Sequence, residues 1–364
     1  MIVQTVLGGN FVFKNKVKII GMTVLTSTVL LSGCGLFSTE TQKKIDPPKT
    51  VTVKEGTVPV SKETTVKEKE AAKDTVKTEL YLIDKDGYVV PQTLALPKTT
   101  SVAKQALEYL VADGPVTNML PNDFRAVLPE DTDISVNINK DNGVATVNFS
   151  KEFKNYQPED EQKILQSVTW TLTQFDNIKS VKLQMNGHDL NEMPVSGTPI
   201  SENLSRATGI NIDTSDVADI TNTKPVTVYY IGGVEGSYYY VPVTRRISNT
   251  EKDNYAAIVN QLIQGPSEKS TLVSEFMSDV KLLDTPKYEN GTLTLNFNKN
   301  IYDSFKEKEI SQSLLDTLVL SLTEQQGVEK VAVEVDGKVD IKNDKGKKVS
   351  EPVTRPEKVN TGSY

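Results

Sequence analysis

Gly143-Val144-Ala145-Thr146-Val147-Asn148-Phe149 returns 148 residues later as Gly291-Thr292-Leu293-Thr294-Leu295-Asn296-Phe297. Both alternate apolar and polar side chains, the period of a half-buried strand. Working outward, the register holds in both directions. Gly114-Pro115 recurs as Gly265-Pro266, and Val90-Pro91 as Val241-Pro242. Downstream, Leu165, Val168, Leu172, Ile178, Val181 and Leu183 return as Leu315, Leu318, Leu322, Val328, Val331 and Val333. The endings correspond too: Arg206, Ile210 and Asn211 answer Arg355, Val359 and Asn360. One domain is written twice.

The unit reads as two strands, a helix, a hairpin, a second helix and a last strand. Strands over 79–83 and 88–93 flank the turn Asp84-Lys85-Asp86-Gly87; their copies cover 226–231 and 238–243. A helix over 101–111 has Ser101 as its N-cap. Strands over 134–138 and 144–149 make a hairpin around Asp141-Asn142-Gly143. A helix over 161–175 precedes a strand over 178–185. The order ββαββαβ, with both helices on one face of a mixed sheet, is an α+β class. The expected boundaries are 78–211, a linker over 212–224, 225–360 and a tail over 361–364. As a full copy, 226–360 is expected to fold alone, with Arg355 to Asn360 docked on its own domain.

Ahead of the repeats, Lys14, Lys16 and Lys18 precede an apolar run over 19–30 and then Leu31-Ser32-Gly33-Cys34. Basic residues, a short apolar run, small residues and a cysteine are the layout of a signal peptide, 1–33, ending at a lipid-modified cysteine. A diacylglyceryl group on the Cys34 thiolate, with cleavage before Cys34, would leave a two-chain anchor on the mature N-terminus, enough for stable attachment. Residues 34–77, rich in Thr, Val, Lys and Glu, read as a disordered tether with a flexible span of roughly 35–40 Å.

The rest of the inventory excludes more than it offers. Cys34 is the only cysteine and His188 the only histidine. No disulfide, thiol nucleophile or Cys-based metal site can form in the mature chain, and no cofactor or metal is expected. The net charge of −7 gives no argument for nucleic acid. Asp84-Lys85-Asp86-Gly87 opens like a calcium loop but lacks its later ligands, so it reads as a turn. The glycines at 232, 233 and 236 lie between strands, where no helix N-terminus would cradle a phosphate. His188 has no readable nucleophile or orienting partner.

The residues left over suggest contacts rather than chemistry. Arg206, Asn211, Arg355 and Asn360 are expected to pin the returning tails to the fold, the arginines through carbonyls or a carboxylate. Trp170 and its copy Leu320 fall outside the apolar stripes of their helices. Two readings stay open: a second contact surface, or cover by a loop or the tail. Tyr238 and Tyr240 share one strand face and Tyr239 takes the other; they are interface candidates that also suit an ordinary half-buried strand.

Glu79-Leu80-Tyr81-Leu82-Ile83-Asp84, Gln105-Ala106-Leu107-Glu108-Tyr109-Leu110, Gln166-Ser167-Val168-Thr169-Trp170-Thr171-Leu172-Thr173 and the Arg206/Asn211 ending carry a family resemblance. The chain resembles the sporulation and germination lipoproteins with two tandem GerMN domains. That resemblance implies domains similar to the ring-building motif and a place on the extracytoplasmic face of the mother-cell membrane, toward the forespore. It also implies a non-catalytic scaffold, with partners in the channel complex between the two cells and a possible homo-oligomer or ring. The rival reading is a lipoprotein that binds cell wall or a small ligand during cortex formation.

Overall fold

The computed structural model describes residues 74–215, 217, 220–234, 236–303 and 308–361. The signal, Cys34 and nearly all of the tether lie outside the described residues. In the first repeat β1 (Thr75–Asp84) and β2 (Val89–Pro97) form an antiparallel hairpin with Leu82 opposite Val90. Its turn is held by the Asp84 carboxylate, whose Oδ1 accepts from the backbone of Asp86 at 3.0 Å and Tyr88 at 2.8 Å. After α1 (Val102–Glu108) and the short β3 (Phe124–Arg125) come β4 (Ile134–Asn139) and β5 (Val144–Phe149), paired antiparallel. Helix α2 (Glu161–Leu172) then leads to β6 (Ser180–Met185), parallel to β5, and β7 (His188–Asp189). Ser101 precedes α1 without capping it through its side chain.

The second repeat has β8 (Thr223–Val234), β9 (Ser237–Ser248), α3 (Asn254–Gln264), β10 (Lys287–Glu289), β11 (Thr292–Phe297) and β12 (Glu309–Ile310). Helix α4 (Gln312–Leu322), β13 (Lys330–Val335), β14 (Lys342–Asn343) and β15 (Val353–Thr354) complete it. Strand β13 runs parallel to β11, with Leu293 beside Val331 as Ala145 is beside Val181. The fold is α+β, with two repeated domains and mixed sheets.

Each opening hairpin stays separate from the mixed sheet; in the first repeat the short β3 pairs with only the end of β1, at Ile83 and Asp84. The reason lies in polar residues of α2. The Ser167 hydroxyl donates to the Tyr81 carbonyl, and the Tyr81 amide donates to Thr171 Oγ1 at 3.1 Å. Just past the helix, the Gln174 side chain accepts from the Glu79 amide at 2.9 Å and donates to its carbonyl at 2.7 Å. The helix thus satisfies the edge of β1 at Glu79 and Tyr81, the stretch that β3 leaves uncovered. In the second repeat Ser321 accepts from the Tyr229 amide at 2.8 Å.

Leu80, Tyr81, Leu82 and Ile83 are all fully buried, so β1 is covered on both faces. Buried apolar residues of the two repeats make one continuous cluster, and both repeats fall within one compact unit. No helix among the described residues is long and apolar enough to cross a membrane.

Candidate functional site at the junction of the repeats

The densest polar arrangement lies where the two copies meet. Glycine at 209 (φ 89°) turns the first tail so that Ile210 lies along β9 of the second repeat. The Thr244 amide donates to the Ile210 carbonyl at 2.8 Å, and the Ile210 amide donates to Thr244 Oγ1 at 2.9 Å. The second tail does the same to the first repeat. The Thr93 amide donates to the Val359 carbonyl at 3.2 Å, and the Val359 amide donates to Thr93 Oγ1 at 3.0 Å. Thr93 and Thr244 are equivalent positions. The tail ends are shared between the repeats: Arg355 docks on its own domain as expected, donating to the Leu320 carbonyl at 3.2 Å, while Val359 and one amide bond of Asn360 reach into the first repeat.

Two asparagines at left-handed backbone, Asn211 (φ 44°) and Asn360 (φ 53°), lock the exchange. Asn211 Oδ1 accepts from the Val89 amide at 2.8 Å; its Nδ2 donates to the carbonyls of Val89 and Pro242, each at 2.8 Å. Asn360 Oδ1 accepts from the Tyr240 amide at 2.8 Å; its Nδ2 donates to Tyr240 at 2.9 Å and Pro91 at 2.8 Å. Val89 and Tyr240 are equivalent, as are Pro91 and Pro242. Each asparagine therefore closes its own hairpin and reaches into the other one. This reciprocity is the signature of an isologous interface, here within a single chain. Tyr88 and its copy Tyr239 repeat the pattern: Tyr88 Oη meets Ser270 Oγ at 3.0 Å, and Tyr239 Oη donates to Asp84 Oδ2 at 2.8 Å.

The arginines break the symmetry. Both converge on one buried carboxylate, Glu324. Arg206 donates to Oε2 at 2.8 Å, Arg355 approaches Oε1 at 3.1 Å, and the Tyr229 hydroxyl donates to Oε1 at 2.9 Å. Arg206 lies 4.4 Å above the Trp170 ring and Arg355 lies 5.5 Å from that of Tyr229. Burial opposes ionisation of Glu324, but the two guanidiniums outweigh it and hold the carboxyl below its ordinary range. Gln174 stands at the equivalent place in the first repeat. Two arginines thus share one acid, an imbalance visible when the repeats are aligned, yet Glu324 was not singled out from the sequence.

The contact candidates divide. Trp170 is 1% exposed; its Nε1 donates to the Gly209 carbonyl at 3.2 Å, and the returning tail covers it. Leu320 is 0% exposed, packed with Tyr229 and Val359. Both lie off the stripe, as the spacing requires, but on a face the junction occupies; they are not open surface. Tyr239 is buried against Phe124 of the first repeat, with ring centroids 5.1 Å apart. Tyr240 is half-buried and donates to Asp316 Oδ2 at 2.9 Å. Tyr238 alone of the five is exposed, at 56%. Gly232 and Gly233 serve this hairpin: a Cβ at 232 would meet the Tyr239 ring at 2.9 Å, and residue 233 has φ 92°.

His188 is exposed on β7, far in the chain from the arginines' carboxylate, and its neighbour Asp189 is taken by Lys182 at 2.6 Å and Gln184 at 2.7 Å. An open cleft of about 540 Å³ lies beside the junction, lined by Tyr88, Lys163, Gln166, Ser267 and Ser270 among others. Tyr88 is its one aromatic lining residue, so it offers no stacked platform for a sugar.

The profile of the Germane family, described as sporulation and spore germination, matches residues 79–191 and 227–340, one span in each repeat. The chain belongs to the Germane family. It is 55% identical over 360 residues to the spore germination protein GerM of Bacillus subtilis strain 168, covering 95% of this chain and 98% of that one. The solved tandem GerMN domains of the sporulation protein GerM from Bacillus subtilis share 58% identity, with a TM-score of 0.75. That chain aligns over its whole length with 79% of this one, so in the relative the tandem domains stand as a folded unit. The two Germane domains of the present chain are the two repeats described above, joined through their exchanged tails.

Proposed function

We propose that this Germane-family protein is a non-catalytic scaffold, lipid-anchored through Cys34 to the extracytoplasmic face of the mother-cell membrane. In this reading it assembles or positions a transenvelope complex between mother cell and forespore. The observation that carries the reading is where the protein spends its buried charge. Arg206, Arg355 and Glu324 hold one repeat to the other, and Glu161 is consumed by the backbone of residues 195–198. A site for chemistry would hold perturbed groups facing a cavity; these face the protein itself.

Crosslinking and co-purification from sporulating cells test the proposal. The wild-type protein should fractionate with membranes and retain a defined set of partner proteins. Cys34→Ala should remain unprocessed or leave the membrane, and lose those partners. His188→Ala should keep them. Abolished sporulation in a stably folded His188→Ala strain would end the non-catalytic reading. Unchanged processing and membrane attachment of Cys34→Ala would end the anchor.

A further inference from the structure

The two repeats part company in the excursion that follows their last long strand. Residues 338–348 contain Lys338, Lys342, Lys345, Lys347 and Lys348 against Asp340 and Asp344. The equivalent stretch of the first repeat, 188–198, contains Asp189 and Glu192 and no lysine. The second-repeat excursion is a small hairpin. Residues 342 and 348 pair, the Asn343 amide donates to the Lys347 carbonyl at 2.9 Å, and glycine at 346 (φ 72°) makes the bend. All five lysines are exposed, and none makes an ion pair among the described residues. Lys308 lies alongside, held to Asp340 at 2.8 Å, and Lys342 and Lys348 are close enough to help hold the Asp340 carboxyl below its ordinary range. Val339, 50% exposed, sits among the lysines.

A chain of net charge −7 thus gathers lysines on one surface hairpin, paired to β12 through Lys342 and Asn343, in only one of two otherwise matched domains. Nothing in the packing requires this: Ile341 and Val349 anchor the hairpin in the core while the lysines point away from it. We infer that the 338–348 hairpin is a docking surface for an anionic lipid bilayer. Lysines are flexible point charges suited to headgroup phosphates, and an exposed valine between them suits the interfacial layer. The choice of a bilayer over another polyanion rests on the proposed Cys34 anchor. About 40 residues separate Cys34 from the start of β1 at Thr75, enough chain length for the second repeat as well as the first to reach the same membrane.

The test uses residues 74–364, which carry no anchor, so it is independent of lipidation and of any protein partner. Cosedimentation is measured with vesicles of phosphatidylcholine alone and of phosphatidylcholine with 40% phosphatidylglycerol, at about 50 and 300 mM salt. The expected result is binding to the anionic vesicles only, weakening as salt screens the surface. Lys342→Glu, Lys345→Glu, Lys347→Glu and Lys348→Glu together should weaken it at least about tenfold at unchanged melting temperature. A control set of reversals in the first repeat, Lys140→Glu, Lys151→Glu, Lys154→Glu and Lys179→Glu, should change it far less. Equal loss in both sets would show general attraction and overturn the inference. So would binding to polyglutamate but not to vesicles, which would assign the hairpin to an acidic protein.

Discussion

Asn360 donates its side-chain amide to the Pro91 carbonyl at 2.8 Å, across 269 residues of chain and from the second repeat into the first. Asn211 makes the equivalent bond to Pro242 at the same length. Here each domain supplies the piece that finishes the other, so neither tail is an appendage.

One consequence is cooperative unfolding. The two-repeat unit should melt in a single transition, checked by calorimetric and van't Hoff enthalpies that agree. Removing residues 353–364 should lower that one transition rather than split it. Asn360→Ala alone leaves the Pro91 carbonyl and the Tyr240 amide and carbonyl without their partner, and should cost about 2–4 kcal/mol. Two separate transitions in the intact protein would contradict the exchange.

Glu324→Gln puts into the second repeat the residue type that the first already has. It should nevertheless cost about 3–5 kcal/mol, because two half-buried guanidiniums would share no counter-charge. Gln174→Glu should not compensate: that side chain is engaged with both backbone groups of Glu79. Urea denaturation of the two variants and their combination measures the coupling.

The sequence made the repeat, its element order and the α+β class legible, because periodicity and register survive between copies. It also marked Arg206, Asn211, Arg355 and Asn360 as residues that tie down the tails. Which copy receives each tail could not be read: a repeat is equally consistent with docking at home or next door, and only the three-dimensional path past Gly209 decides. Trp170 shows the same limit. A helical wheel places it off the stripe but says nothing of what covers that face. The polar residues Ser167, Thr171 and Gln174 interrupt an apolar helix for a reason visible only with β1 beside them.

Acid should loosen the first repeat through Glu161. Burial pushes its carboxyl up, but amide donors at Ser196 and Thr198 and the Tyr156 hydroxyl outweigh that and hold it at about 2, against an ordinary 4.5. A depressed carboxyl contributes stability that is fully present above the unfolded value and is lost as pH falls from 4.5 toward 2. The contribution at neutral pH is about 3 kcal/mol. Glu324, also depressed, has the same sign. Stability measured from pH 7 to 3 should therefore fall less steeply in Glu161→Gln than in the wild type.

The contrast between Trp170 and Tyr238 separates packing from recognition. Trp170→Ala should destabilise the protein by about 3–5 kcal/mol, comparable to truncating Leu172, since both are buried. Trp170→Phe should retain most of this and lose about 1 kcal/mol with the bond to Gly209. Tyr238→Ala removes an exposed ring and should shift stability by no more than about 0.5 kcal/mol. If the scaffold uses this strand face, the same variant should lose about 2 kcal/mol or more of partner binding, read as partner capture from sporulating cells. A Trp170→Ala protein as stable as wild type would show that the junction does not depend on the covered ring. Full partner capture by Tyr238→Ala would remove the last exposed member of the tyrosine run from the contact surface and move the search to the other faces of the two repeats.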